Sequence, residues 1–313
     1  MTSSSAPAGE AAAGERAAGE KAAVTAGVLC YGFWGFLPLL FKAAAAAGAG
    51  GWEILAWRAI WSVLWAGVIV AVTRGGPNLL AVLRNPRTLG WLALSAVLIG
   101  TNWSLFVWAV NSGHTLDASL GYYLNPLMTV AAGMLLFRER IGAAGFIAIA
   151  LASGGVAVQT LAHGGLPLAA LGMATSFCAY SIIRKRVAAD AQTGLLIECL
   201  VLAGPSLVYG LMLQSAGSGH AAQPLAGALL FLSGPATVAP LVTFAWAARR
   251  MPLSTLGFLQ FISPTIQFVI GVSAGETLSP LSLAAFGLIW SGVAVYAWTA
   301  WRKLRAVEAV TSE

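Results

Sequence analysis

One cation stands where a cation is costly. Arg58 lies about five residues inside an apolar stretch, roughly 7 Å from its edge at 1.5 Å per helical residue. An unpaired charge in such a place usually faces a bundle interior or a wet cavity, and Trp57 and Trp61 beside it are residues of the kind that line one. Arg58 is therefore read as a cavity residue, against the plainer reading that its guanidinium snorkels outward. Glu53 is an obvious partner, but five positions along a helix puts it on a different face. Glu198 is the one carboxylate inside a predicted stretch. In low dielectric a carboxylate can alternate between protonated and charged forms, as proton-coupled carriers require. It serves equally as an anchor near Arg184, Lys185 and Arg186, and both readings stand.

Amides and aromatics gather in four other apolar stretches. Asn102, Trp103, Trp108, Tyr122 and Asn125 come from the first part of the chain; Trp246, Gln260, Ser263 and Gln267 come from the last part. Amides in hydrocarbon need partners, so they face other helices or a cavity. For any one of them helix-to-helix bonding is the simpler role; as a set they mark the substrate pocket. Asn125-Pro126 and Ser263-Pro264 hold corresponding places. Proline leaves a carbonyl one turn back without its donor, which predicts helix kinks at Pro126 and Pro264 and exposed backbone polarity. Such a pocket suits a flat or amphiphilic small molecule.

The elements that must position these residues follow from composition. The chain has 313 residues, 58% apolar and 9% charged, against about 25% charged for a soluble protein. That excludes a soluble enzyme, a nucleic-acid binder and a disordered scaffold. Ten hydrophobic stretches are close to the roughly 20 residues that cross a bilayer as helix: 23–41, 54–73, 88–110, 118–137, 142–161, 165–183, 194–213, 225–247, 254–273 and 280–301. They are continuous, without the two-residue alternation of a lipid-facing strand, so the fold class is an all-α membrane protein with ten transmembrane helices.

Ten basic residues fall in alternate loops (Arg74, Arg84, Arg87; Arg138, Arg140; Arg184, Lys185, Arg186; Arg249, Arg250), with Lys42 alone in the others. Both termini are thereby expected in the cytoplasm, with residues 1–22 and 304–313 as tails, the first of them disordered. The net charge of +6 is explained by this topology and calls for no nucleic acid. Cys30, Cys178 and Cys199 read as small buried hydrophobes. His114, His163 and His220 fall in scattered loops without metal spacing, and no Gly-rich phosphate motif is present, so neither metal nor nucleotide nor any other cofactor is expected. Gly35, Gly121, Gly133, Gly154 and Gly257 read as close-packing positions.

A repeat runs through the pattern. Phe106-Val107-Trp108-Ala109 returns as Phe244-Ala245-Trp246-Ala247, Ser119-Leu120-Gly121 as Thr255-Leu256-Gly257, Pro126 as Pro264, and Gly155-Val156-Ala157-Val158 as Gly292-Val293-Ala294-Val295. Two five-helix repeats follow, 23–161 and 162–303. Five is odd, so the halves enter with opposite polarity, and the loops agree: the segment 111–117 has no Lys or Arg, its counterpart 249–254 has two. Inverted repeats are a transporter signature, with the solute near mid-membrane where the halves meet.

These residues resemble the RarD group of EamA-domain permeases in the drug/metabolite transporter superfamily. The matching words are Trp34-Gly35 with Pro38 and Lys42; Glu53-Ile54-Leu55-Ala56 with Arg58 and Trp61-Ser62; Asn102-Trp103 with Trp108-Ala109-Val110-Asn111; Ala118-Ser119-Leu120-Gly121-Tyr122 with Asn125-Pro126-Leu127; and Ala248-Arg249-Arg250 with Pro252 to Gln260, Pro264-Thr265 and Gln267-Phe268. The resemblance covers residues 23 to about 303 and implies ten helices in two inverted halves, membrane transport, and the family label "chloramphenicol-sensitive". Two departures stand out. Trp57 occupies a place where the family commonly has His, and Pro264 to Glu276 spans 12 residues where Pro126 to Glu139 spans 13, so the end of the ninth span is expected to be rearranged.

The expectation is a secondary transporter of the inner membrane, working in efflux by analogy with that group, whose partners are a small-molecule substrate and the lipid bilayer. Proton coupling through Glu198 and a homodimer are further options. The rivals are a sensory or structural membrane protein, a proton-independent facilitator and a membrane-embedded enzyme; no paired acids or clustered His at one depth favour the last.

Overall fold

The computed structural model describes residues 6–112, 115–162, 168–273 and 279–311, and the described residues are helical with short connections. Twelve helices follow in order: α1 (Ala6–Ala46), α2 (Gly51–Val72), α3 (Gly76–Leu83), α4 (Pro86–Asn111), α5 (Thr115–Leu136), α6 (Ala143–Ala162), α7 (Leu168–Arg186), α8 (Ala191–Ser215), α9 (Pro224–Ala248), α10 (Leu253–Gln260), α11 (Ile262–Ser273) and α12 (Pro280–Thr311). Among the described residues, eight helical stretches are long and apolar enough to cross a membrane. Their outward sides carry Leu29, Phe36, Val72, Phe146 and Leu211, all exposed, a surface that only lipid covers without penalty.

Three differences from the sequence reading have physical causes. The ninth stretch is two helices, α10 and α11, divided at Phe261. Pro264 has no N–H to return to the Gln260 carbonyl, and the Phe261 N–H bonds three residues back to Phe258 instead, at 3.3 Å. Pro126, by contrast, sits inside an unbroken α5. An extra short helix, α3, fills the connection between α2 and α4, begun by Pro77 in its first turn. Finally, α1 starts at Ala6 and runs through much of the expected disordered tail; that segment is rich in Ala, the strongest helix former. The end of the ninth span, with Glu276, lies outside the described residues, as do His114 and His163.

The fourth and sixth predicted stretches, α5 and α7, are absent from those eight. The side chains described in α5 begin at Leu120, so Leu120–Leu136 counts among the shorter apolar helices, and α7 ends in Arg184, Lys185 and Arg186. Both carry buried polar groups, Ser176, Ser181 and Arg184 in α7 and Asn125 and Thr129 in α5. Helices that face other helices need not be apolar all round.

Local chemistry sets the ends. Asn85 caps α4 through the Thr88 N–H at 3.1 Å, and Asp190 caps α8 through the Thr193 N–H at 2.7 Å while its other oxygen accepts from Asn78 of α3. At the opposite end of the bundle Glu53 accepts from the His220 backbone N–H at 2.6 Å and lies 2.9 Å from its Nδ1. These define an arginine-rich end and a His220 end.

Helices pack through small residues. α6 lies along α12, α2 along α8, and α5 along α10. A Cβ on Gly155 would stand 2.6 Å from the Ala285 carbonyl oxygen, and one on Gly292 would stand 2.5 Å from that of Ala148. Gly35, Gly133 and Gly257 are also at close approaches, and Gly121 at a tight one. At Gly154 the nearest atom is at an ordinary 3.9 Å, so the close-packing glycine of that pair is Gly155.

Candidate functional site

A cavity of about 100 Å³ lies within the bundle, toward the His220 end. Arg58 of α2 enters it two turns from the start of its helix. The Arg58 Nε donates to Thr237 Oγ1 of α9 at 3.1 Å, and the guanidinium lies 3.9 Å from the Trp103 ring centroid and 5.1 Å from that of Phe41. The side chain is buried. Among the described residues no carboxylate is within ion-pairing distance of it, and the cavity lining contains neither Asp nor Glu.

The polar walls come from α4, α5, α10 and α11. Asn102 donates to the Met173 carbonyl at 2.8 Å, which fixes its amide between α4 and α7. Gln260 donates to Thr129 Oγ1 at 3.0 Å, and that hydroxyl in turn donates to the Asn125 carbonyl at 2.8 Å. Gln267 donates to Ser263 Oγ at 3.3 Å. The Asn125 Oδ1 is buried without a hydrogen bond among the described residues. Tyr122 packs edge-on to Phe106, with ring centroids 5.6 Å apart.

Of the ten candidate substrate-binding residues, eight line this cavity: Arg58, Asn102, Trp103, Tyr122, Asn125, Gln260, Ser263 and Gln267, with Pro264 beside them. Trp108 and Trp246 do not. Trp108 is exposed on the outside of α4, and Trp246 stacks under the Arg250 guanidinium at 4.2 Å. Trp57 and Trp61, expected to flank the cavity, point elsewhere: they stack on each other with centroids 6.3 Å apart, and Trp61 meets Phe231 at 4.9 Å. Positions one or three away from Arg58 on a helix lie about 100° or 60° round from it.

The sequence reading missed the wall formed by α1. Tyr31, Trp34, Pro38 and Phe41 line the cavity, and their spacing of three, four and three is a one-sided helical stripe. Toward the arginine-rich end that wall merges with a plug of rings: Trp34 and Phe177 at 6.0 Å, Tyr31 and Phe244 at 6.4 Å, Tyr180 and Phe244 stacked at 5.6 Å.

Glu198 lies beyond the plug, two turns into α8. Its Oε1 stands 3.4 Å from the Arg184 Nη1, Ser95 donates to the same oxygen, and Tyr180 donates to the other at 3.5 Å. Gly194, without a side chain, leaves room for the guanidinium. Glu139, not singled out from sequence, caps α10: its two oxygens accept from the Leu253 N–H at 2.7 Å and the Ser254 N–H at 2.8 Å. Lys185 lies 3.9 Å from that carboxylate and donates to the Ala248 and Met251 carbonyls.

Residues 21–161 match the EamA-like transporter family. Protein RarD of Escherichia coli (strain K12) is 40% identical over 276 residues, which cover 87% of this chain and 93% of that protein. The chain belongs to the RarD family of EamA-like transporters. A protein of Vibrio cholerae named "uncharacterized transporter" is 38% identical over 272 residues, covering 86% of this chain and 89% of its own. A crystal structure with 21% sequence identity superimposes with a TM-score of 0.69 over 90% of this chain and 98% of its own, which shows the same fold. Within the RarD family the present chain is a multi-pass membrane transporter.

Proposed function

We propose that the chain is a secondary carrier of the inner membrane that moves a small organic solute through the Arg58 cavity by alternating access. Its ten spans, with α10 and α11 as one, form two five-helix halves, 23–161 and 162–303, inserted with opposite polarity and with both termini in the cytoplasm. Efflux is the direction proposed. The observation that carries the reading is the composition of the chamber wall: α1, α2, α4 and α5 come from one half, α7, α10 and α11 from the other. A solute held there touches both halves, so rocking one against the other would change its access. The reciprocal pairs Gly155–Ala285 and Gly292–Ala148, each residue 137 positions from its counterpart, support two like-built halves. The ring plug on one side of the chamber supports a state closed toward the arginine-rich end.

Transport is tested in proteoliposomes loaded with mixed small metabolites, reading exchange by mass spectrometry. At least one solute should exchange, and Arg58→Ala should abolish that exchange with the amount of folded protein near normal. Undiminished exchange in the variant would remove Arg58 from the path. Reporter fusions at the 111–117 and 249–252 loops should report opposite compartments; the same compartment would overturn the inverted halves.

A further inference from the structure

We infer that the solute of this cavity is a monoanion with a flat apolar body, a small organic carboxylate, whose charged group pairs with Arg58. The inference rests on the cavity being the solute site and names the class of molecule it takes.

Among the described residues each acid of the interior has a hydrogen-bonding partner, and the other buried arginine has an acid. Glu198 stands against Arg184, Glu53 against His220, and Glu139 against the first turn of α10 and Lys185. Arg58 is the exception: buried, lining the chamber, and without an acid within ion-pairing distance among the described residues. Its Nε is used on Thr237, while Nη1 and Nη2 have no hydrogen bond among the described residues. A buried charge without a counter-charge is costly, and among the described residues Arg58 has Thr237 and two rings beside it but no acid. An anion offsets that cost where a neutral molecule does not, and a cation adds to it.

The number and shape of the donors narrow the class. One guanidinium supplies one positive charge and a planar fork that matches a carboxylate with two parallel N–H bonds; a dianionic phosphate would call for a second cation, and the lining holds none. Trp103 and Phe41 back the guanidinium, and Trp34, Phe106 and Tyr122 wall the space before it. Such walls favour a flat apolar body.

The test uses the full chain in nanodiscs and three monosubstituted benzenes of similar size and different charge at neutral pH, the isosteres benzoate and benzamide and the cation benzylamine, titrated by calorimetry. Benzoate should bind at least about tenfold tighter than benzamide, with benzylamine weakest. Arg58→Gln should remove the preference, and Arg58→Lys should keep it with weaker binding, because the charge remains while the fork and the stack are lost. Equal binding of benzoate and benzamide, a preference that survives in folded Arg58→Gln, or no binding of any probe up to about 10 mM would overturn the inference. Should Arg58→Gln fail to fold, the wild-type comparison decides alone. Counterflow of benzenesulfonate, which does not cross lipid as a neutral acid, separates the two claims. Charge-selective binding without counterflow upholds the anion site and removes the carrier; counterflow of neutral metabolites without charge-selective binding upholds the carrier and removes the anion site.

Discussion

The Arg58 guanidinium lies over the Trp103 ring at 3.9 Å, and the two residues come from α2 and α4. The ring holds the cation at a fixed height in the chamber and partly replaces its lost water. A desolvated cation–π contact of this kind contributes about 2 kcal/mol. Trp103→Ala should therefore weaken binding of any solute that requires Arg58 by roughly tenfold or more, while Trp103→Phe, which keeps a face, should lose less. Calorimetry on the two variants checks the order. Equal affinity in Trp103→Ala and wild type would mean that Thr237 alone positions the guanidinium.

Much of that arrangement was legible in sequence, and the failures share one cause. Residue type and depth singled out Arg58, Asn102, Trp103 and Gln260, since polarity in an apolar stretch needs a reason, and all four line the cavity. Helical phase was not legible. Trp103 and Trp108 differ by about 140° round α4, and with apolar residues on every side nothing local says which faces lipid. The same gap hid that Trp57, Trp61 and Trp246 lie off the lining of this cavity. The partners of two acids were hidden for a different reason: Glu139 and Glu53 accept from backbone N–H groups more than one hundred residues away, a separation to which local spacing is blind. The break at Phe261 was foreshadowed by Pro264, yet Pro126 in the same relative place leaves α5 whole, so proline alone does not decide.

Glu198→Gln should destabilise the protein by about 3 to 5 kcal/mol, because Arg184 would be left buried without its acid. Both side chains are all but inaccessible, at 1% and 2% exposure, so water cannot take over. Denaturant unfolding in detergent measures the loss. The folded variant also tests proton coupling: transport by Glu198→Gln that no longer responds to a pH gradient would assign the proton to this carboxylate, and an unchanged response would leave it the partner of Arg184 and nothing more.

Glu139 acts as a cap supplied from another helix, meeting the two free N–H groups that start α10. Glu139→Ala should cost about 1 to 2 kcal/mol, in the range of a lost helix N-cap, and should raise hydrogen exchange first at Leu253 and Ser254. Glu139→Gln keeps acceptor oxygen but loses the charge that favours a helix N-terminus, so its effect should fall between. Exchange rates unaltered at those two amides in Glu139→Ala would show that the connection around Pro252 sets the helix start without help.

The contact of α6 with α12 admits a sharper test, because its two closest points mirror each other. An alanine methyl at Gly155 would press on the Ala285 carbonyl oxygen and one at Gly292 on that of Ala148, at 2.6 and 2.5 Å. Backbone atoms cannot turn aside, so each substitution must push the helices apart, at a cost of about 1 to 3 kcal/mol. Once separated by the first methyl, the helices have room for the second. The double variant should then lose clearly less than the two single losses together, a coupling expected only for sites that share one interface. Gly287 on the same α12 has nothing within 4 Å of an added Cβ, and alanine there should be neutral or stabilising by up to about 1 kcal/mol through helix propensity. Thermal unfolding of the four variants in one detergent reads all of these. Strict additivity of Gly155→Ala and Gly292→Ala would mean that the two contacts yield independently, each by a local shift of its own helix.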